Sequence, residues 1–149
     1  MSRLQLALNV SDLDAAVEFY STYFETPPAK LRPGYANFAI EDPPLKLVLF
    51  EAGEPGTINH LGVEVFSTDE VAVAAGRLRD AGLATEVEDS TTCCYAVQDK
   101  VWVDGPDGSK WETYVVLDDA PVADNAGCCA STVGDAVGEA CCAPAGITG

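Results

Sequence analysis

The fold is decided by two stretches that can be laid over each other without gaps, Gln5-Leu6-Ala7-Leu8-Asn9-Val10 and His60-Leu61-Gly62-Val63-Glu64-Val65. Apolar residues recur at every second position in both stretches, which is typical of a β-strand. Each stretch opens one half of residues 1–118, so the chain reads as an internal repeat. Gln5 and His60 therefore take equivalent positions at the openings of two related strands.

The same order of elements follows each opening strand. In the first half, Ser11 is expected to cap a helix, and Ser67 or Thr68 is expected to cap its counterpart in the second half. Period-two patterns and turn residues predict the later strands near 35–40, 45–50, 84–87, 94–97, 101–103 and 111–116. This order predicts an α+β fold with two tandem βαβββ modules, about 1–57 and 58–118. Their sheets are expected to curl around a shared cleft.

The composition excludes several kinds of partner. The chain has 149 residues, for which one domain is the expectation, and a formal charge of −16. Such a surface repels phosphate backbones and anionic lipid, so we expect no nucleic acid and no membrane partner. The first residues do not have the pattern of a secretory signal, so none is expected, and no apolar run approaches the roughly 18 residues of a membrane helix. The expected location is cytoplasmic.

Residues 119–149 differ in composition from the rest. They contain Cys128, Cys129, Cys141 and Cys142 but no aromatic residue, no Lys and no Arg. Such a segment buries too little apolar surface to offset its ordering entropy, so it is expected to be a flexible tail. A short alanine-rich helix near 131–142 is an alternative for part of it.

All six cysteines lie in adjacent pairs, namely Cys93-Cys94, Cys128-Cys129 and Cys141-Cys142. Neighbouring Cα atoms lie about 3.8 Å apart, closer than the roughly 4.4–6.8 Å of a relaxed disulfide. The pairs instead suit a thiophilic ion, which thiolates bind as soft ligands. The alternative is that these small side chains fill core space.

The pair Cys93-Cys94 poses a geometric problem, because successive side chains of a strand point to opposite faces. Both sulfur atoms can reach one ion only if the backbone bends there. A neighbouring cation would favour the reactive thiolates. Lys100 can serve if the chain folds back, and the alternative is a solvated lysine.

A metal site is the second chemical feature. His60 is the single histidine, and its repeat mate Gln5 also carries a donor atom. Glu112, in an otherwise apolar strand, is the third candidate donor; the alternative is that it lies on a solvated face. Together these side chains would resemble the facial triad of non-haem Fe(II) oxygenases. Lys46 lies over Glu112 in the repeat and cannot coordinate while protonated, so one site is expected.

Four segments carry a resemblance to a known family: Tyr35-Ala36-Asn37-Phe38, Pro44-Leu45-Lys46-Leu47-Val48-Leu49, Asn59-His60-Leu61-Gly62-Val63-Glu64-Val65 and Thr91-Thr92-Cys93-Cys94-Tyr95-Ala96. With the order of modules, they resemble the vicinal oxygen chelate superfamily of glyoxalases, bleomycin-resistance proteins and extradiol dioxygenases. More narrowly, they resemble the organoarsenical carbon–arsenic lyases and the related cadmium-inducible proteins. The resemblance covers about residues 1–118.

The resemblance implies an enzyme that uses Fe(II) and O2 to cleave the carbon–arsenic bond of trivalent organoarsenicals. Methylarsenite would become arsenite. Cys93 and Cys94 would bind the arsenic, while Gln5, His60 and Glu112 would hold the iron. Some members carry His where this chain has Gln5. A homodimer would also be consistent with the superfamily.

Three further roles are hypotheses drawn from the residues themselves, and the tail cysteines lie outside the segment that carries the resemblance. Tyr95 would donate a hydrogen bond beside the cysteine pair or serve as an aromatic core residue. Lys100 would assist the thiolates. The tail cysteines would capture arsenic for the site or act as a passive thiol sink.

Two other functions remain open at this point. One is a thiol protein that binds cadmium or arsenite without catalysis. The other is a glyoxalase-like metalloenzyme or drug-resistance protein, which would leave Cys93-Cys94 without a role.

Overall fold

The computed structural model describes residues 1–122. The tail cysteines from Cys128 onward and the helix expected near 131–142 therefore lie outside the described residues. The elements, in chain order, are β1 (Arg3–Asn9), α1 (Leu13–Tyr23), β2 (Lys30–Arg32), β3 (Tyr35–Ile40), β4 (Leu45–Phe50), β5 (Ile58–Glu64), α2 (Thr68–Asp80), β6 (Thr85–Cys93), β7 (Ala96–Asp104) and β8 (Lys110–Asp119).

The eight strands of the described residues form one sheet in the order β2-β3-β4-β1-β5-β8-β7-β6. The opening strands β1 and β5 pair antiparallel at its centre, and each pairs in parallel with the last strand of its own half. The predicted α+β fold of two βαβββ modules around a curled sheet is therefore confirmed. No helix within residues 1–122 is long and apolar enough to cross a membrane.

Two parts of the strand prediction need correction. The strand β2 was not predicted, because only Leu31 among its three residues is apolar. The separate strands predicted near 94–97 and 101–103 are one strand, β7, which begins at Ala96 and runs through the polar residues Gln98, Asp99 and Lys100. These three polar side chains are buried. A strand whose buried side chains are polar lacks the alternation of apolar residues by which strands are predicted.

Of the two predicted helix N-caps, one is confirmed and one is wrong. Ser67 caps α2 as predicted, and its side chain accepts a hydrogen bond from the Glu70 N–H. The cap predicted at Ser11 is wrong, because Asp12 takes that position and its carboxylate accepts from the Ala15 N–H at 2.9 Å. Ser and Asp are nearly equal as N-caps, so sequence does not separate neighbours of these types.

The two faces of the sheet have different roles. On the outer face, Leu6 and Leu8 pack beneath α1, and Val63 and Val65 pack beneath α2. Side chains alternate between faces, so the residues between them point to the inner face of the curled sheet. Gln5, Ala7 and His60 lie there and are buried. The helices thus cover one face and leave the other to form a cleft.

Candidate active site

Three polar side chains meet at the centre of the inner face. Gln5 lies on β1, His60 on β5 and Glu112 on β8, and all three are buried. Gln5 Nε2 donates to Glu112 Oε1 at 2.6 Å and lies 3.0 Å from His60 Nε2. His60 Nε2 lies 3.2 Å from Glu112 Oε1. The structure therefore brings together the three residues that the sequence proposed as a metal site.

Gly62 makes this approach possible. It lies between Gln5 and Glu112 in the strand registers, since Gln5 pairs with Gly62 and Gly62 pairs with Glu112. A Cβ at position 62 would meet Glu112 Cγ at 3.0 Å and Gln5 Nε2 at 3.2 Å. Glycine within a strand often marks such a close approach, but its role was not predicted here.

Gly62→Ala is expected to push Gln5 and Glu112 apart, because the added methyl group has no space. We expect overpacking to destabilise the protein by about 1–3 kcal/mol and to weaken metal binding. Thermal unfolding and metal titration measure the two effects. Gly76→Ala in α2 is the matched control: its Cβ would meet nothing closer than Arg79 Nη2 at 3.8 Å. Equal stability of the two variants would contradict this account.

A chain of side-chain amides fixes the ring of His60. Asn59 Oδ1 lies 2.7 Å from His60 Nδ1, Asn59 Nδ2 donates to Asn9 Oδ1, and Asn9 donates to Thr57 Oγ1. With Nδ1 held against the Asn59 oxygen, the other ring nitrogen, Nε2, is directed toward the cluster. Hydrogen-bond partners on the far side of the ring orient ligating histidines in metal sites in this way.

Lys100 and Glu112 form a buried ion pair, with Nζ 2.9 Å from Oε2. Burial raises the pKa of Glu112, but the nearby charge of Lys100 and the contacts with His60 outweigh it, and the pKa falls to about 2. Burial lowers the pKa of Lys100, whereas Glu112 and then Cys93 and Cys94 raise it above the ordinary value of a lysine. Both groups are therefore charged at neutral pH.

The donor set fits a divalent transition metal. The donor atoms of Gln5, His60 and Glu112 lie about as far apart as two adjacent ligands of one ion, roughly 3 Å for metal–ligand bonds near 2.1 Å. A half-turn of the Gln5 amide exchanges Nε2 for Oε1, the atom that can coordinate. Within residues 1–122, no three His, Cys, Asp or Glu side chains gather at one point. This site would thus need the Gln5 oxygen as its third donor.

The cysteine pair lies where β6 turns into β7. Cys93 ends β6, Ala96 begins β7 and pairs with Cys93, and the two residues between them, Cys94 and Tyr95, make the turn. Both have positive φ, 55° and 62°, as in the two-residue hairpin turns that match strand twist. This turn is the bend that the pair was expected to need, and it brings the two sulfur atoms to 3.1 Å.

The turn gives its residues different surroundings. Cys93 is buried in a cluster with Ala7, Val48 and Phe50. Tyr95 is also buried in that cluster, with its ring 5.4 Å from that of Tyr35. The aromatic core role of Tyr95 thus has support in its packing, while the catalytic role stays a prediction.

One cavity of about 280 Å³ joins these features. It is lined by Cys94 at the turn, by Lys100 and by the cluster of Gln5, His60 and Glu112. Cys93 and Tyr95 are not among its lining residues. The sulfur atom of Cys93 lies behind that of Cys94, which lines the cavity, at 3.1 Å. The hairpin of β6 and β7 is what folds Lys100 back into the cavity. The arrangement can hold a thiophilic atom beside a metal ion.

A curled sheet of two βαβββ halves, with donor side chains at the centre of its inner face, defines the class of this protein. Residues 3–113 match the family model of the Glyoxalase/Bleomycin resistance protein/Dioxygenase superfamily, and the chain belongs to that superfamily.

Two similar proteins give a narrower comparison within this superfamily. A trivalent organoarsenical cleaving enzyme of Thermomonospora curvata is 58% identical over 151 residues, covering 95% of this chain and 100% of the relative. A protein named cadmium-induced protein CadI, of Mycobacterium tuberculosis, is 64% identical over 121 residues, covering 80% of each chain.

Solved structures agree on the fold. The Mn(II)-bound glyoxalase of Novosphingobium aromaticivorans matches with a TM-score of 0.59 and 20% identity, covering 80% of this chain and 42% of that one. A catechol 2,3-dioxygenase matches with a TM-score of 0.54 and 16% identity, covering 92% and 47%. At these identities the likeness shows the fold alone.

Proposed function

We propose that this protein cleaves the carbon–arsenic bond of trivalent organoarsenicals such as methylarsenite, using Fe(II) and O2, and releases arsenite. The observation that carries the proposal is the placement of Cys94, in contact with Cys93, on the same cavity as Gln5, His60 and Glu112. Relatives at 58% and 39% identity are named trivalent organoarsenical cleaving enzymes, which supports the cleavage of such compounds.

The cysteine pair would act first. Two thiolates bind trivalent arsenic as soft ligands, and the charge of Lys100, which interacts with both cysteines, would favour the thiolate form. Binding through two bonds fixes the arsenic and its organic group in the cavity. It thereby converts an encounter into an oriented complex.

The cluster would hold the metal through His60 Nε2, Glu112 Oε1 and the Gln5 amide oxygen. Fe(II) bound there would activate O2 for its reduction. The protein's part is to keep Glu112 ionised through Lys100 and to fix the His60 ring through Asn59. The aromatic rings of Phe50 and Trp102 pack near His60, at 6.2 Å and 5.5 Å between centroids, and limit the positions that its ring can take.

The balanced reaction consumes one methylarsenite and one O2 and gives one arsenite and one formaldehyde. The arsenic–carbon bond breaks, arsenic remains trivalent, the carbon is oxidised and O2 is reduced. An external reductant is not required by this balance. An aromatic substituent balances with one O2 and one water: phenylarsenite would give one arsenite and one dihydroxybenzene, again without an external reductant.

Anaerobically prepared, Fe(II)-loaded protein mixed with methylarsenite is expected to form arsenite only after air is admitted. The physical reason is that the carbon can be oxidised only when O2 accepts its electrons. Arsenic speciation by chromatography with mass detection measures this, with a chelator-treated sample as control. Arsenite formed without O2 would refute the oxygen-dependent reaction.

A thiol protein that binds cadmium or arsenite is the second candidate, and the 64% identity to a cadmium-induced protein favours it. In that case methylarsenite would stay bound and unchanged in the same experiment. Cadmium binding would then scale with the number of cysteine pairs and be indifferent to Glu112.

A further inference from the structure

The charges around the cavity are paired with one exception. Three carboxylates line it, and each has a cation: Lys100 pairs with Glu112, Arg3 with Glu64 and Lys30 with Asp119. Lys46 also lines the cavity but forms no ion pair within 4 Å among residues 1–122. It is thus a surplus positive charge in a protein whose formal charge is −16.

Lys46 is held close to the candidate metal cluster. It lies on β4 directly beside Gln5 on β1, so both side chains point to the inner face. Burial lowers the pKa of Lys46, while the charge of Glu64 opposes this effect. A partly buried ammonium without a paired carboxylate is costly, and an anion entering the cavity would relieve that cost.

The cavity also has more room than a methyl group needs. An apolar cavity of about 150 Å³ can hold benzene, whereas this cavity measures about 280 Å³. The space therefore admits an aromatic ring that carries a further substituent. Cys94 and Lys46 both line this space, so one molecule could use them together.

We propose that Lys46 binds an anionic group, specifically a carboxylate, on the organic substituent of the arsenical. Lys46 is then a specificity-determining residue, and the preferred substrates are trivalent organoarsenicals that carry a carboxylate. This inference rests on the proposed function, because it places the arsenic on the cysteine pair.

The test compares two arsenicals of similar size, 4-carboxyphenylarsenite and phenylarsenite, on the Fe(II)-loaded full chain. We expect kcat/KM to favour the carboxylate by about tenfold in the natural protein, as for a hydrogen bond to a charged group. In Lys46→Met this preference is expected to vanish. Phenylarsenite serves as the reference within each variant, so a general loss of folding or activity does not alter the ratio.

Lys110→Met is the matched control, because Lys110 pairs with Asp104 outside the cavity. Its preference should equal that of the natural protein. A preference that persists in Lys46→Met would overturn the inference. Stimulation of phenylarsenite cleavage by added benzoate would also overturn it, because Lys46 would then serve a separate carboxylate.

Failure of the proposed function would be visible separately. If no arsenical is cleaved, calorimetric dissociation constants of the same two compounds replace kcat/KM. A tenfold binding preference that Lys46→Met removes would support the inference without catalysis. Equal dissociation constants in the natural protein would refute it.

Discussion

Replacing Cys93 by serine is expected to abolish cleavage of methylarsenite, with kcat/KM lower by about 10³-fold or more. The loss is large because one remaining sulfur atom cannot hold arsenic in a fixed position, and fixed orientation contributes several powers of ten to a rate. Serine keeps nearly the same size, so the buried cluster around Cys93 should keep its packing. Arsenite formation in a single turnover measures the effect, with circular dichroism as the check on folding.

The control is Cys128→Ser, which makes the same cysteine-to-serine change at a position outside the described residues. It is expected to reduce the amount of arsenic bound per chain without abolishing cleavage. A thiol protein without catalysis would instead show the same loss of binding for Cys93→Ser and Cys128→Ser. That result would refute the proposed reaction and favour the second candidate.

The repeat accounts for how much of the site the sequence could predict. Equivalent strand openings placed Gln5 and His60 on neighbouring strands, and the period of two placed their side chains on one face. Glu112 followed as the acidic residue of an apolar strand. The strand registers refine this relation: Lys46 pairs with Gln5, whereas Glu112 pairs with Gly62 and not with His60. The two halves are thus offset by two residues at this point.

The turn at Cys94 and Tyr95 could not be read from the sequence. Two-residue hairpin turns with positive φ usually contain glycine or asparagine, and neither residue is present here. A cysteine and a tyrosine in this conformation cost roughly 1 kcal/mol or more each. The surrounding sheet and the buried cluster must supply that energy. Tertiary contacts therefore fix the feature that brings the two sulfur atoms together.

The ion pairs that line the cavity also could not be predicted from the sequence. Lys100 and Glu112 are 12 residues apart, and nothing in a one-dimensional pattern shows that their side chains meet. Lys46 was recognised only as the repeat mate of Glu112. Its lack of a carboxylate partner emerges when the partners of the other lining charges are known.

Glu112→Gln is expected to destabilise the metal-free protein by about 3–5 kcal/mol, because it leaves Lys100 buried without its counter-charge. The melting temperature should fall by roughly 10 °C for a chain of this length. Metal affinity should fall as well, since a neutral amide replaces the anionic donor. Thermal unfolding in the presence of a chelator measures stability, and Fe(II) titration measures affinity.

Asp104→Asn makes the same carboxylate-to-amide change in the exposed pair with Lys110. Its cost should be about 1 kcal/mol or less, as for surface ion pairs. A cost for Glu112→Gln no larger than this would mean that burial of the Lys100 charge does not govern the stability of the site.

Adding Lys100→Met to Glu112→Gln separates the two roles of Glu112. An apolar side chain of similar length removes the unpaired buried charge, and replacing a buried ion pair in this way is often neutral for stability. We therefore expect the double variant to regain most of the lost stability while metal binding and arsenic cleavage stay lost. Recovery of stability without recovery of metal binding would show that the Glu112 carboxylate both neutralises Lys100 and binds the metal. Recovery of both would mean that Lys100, and not the metal, is the group that Glu112 serves.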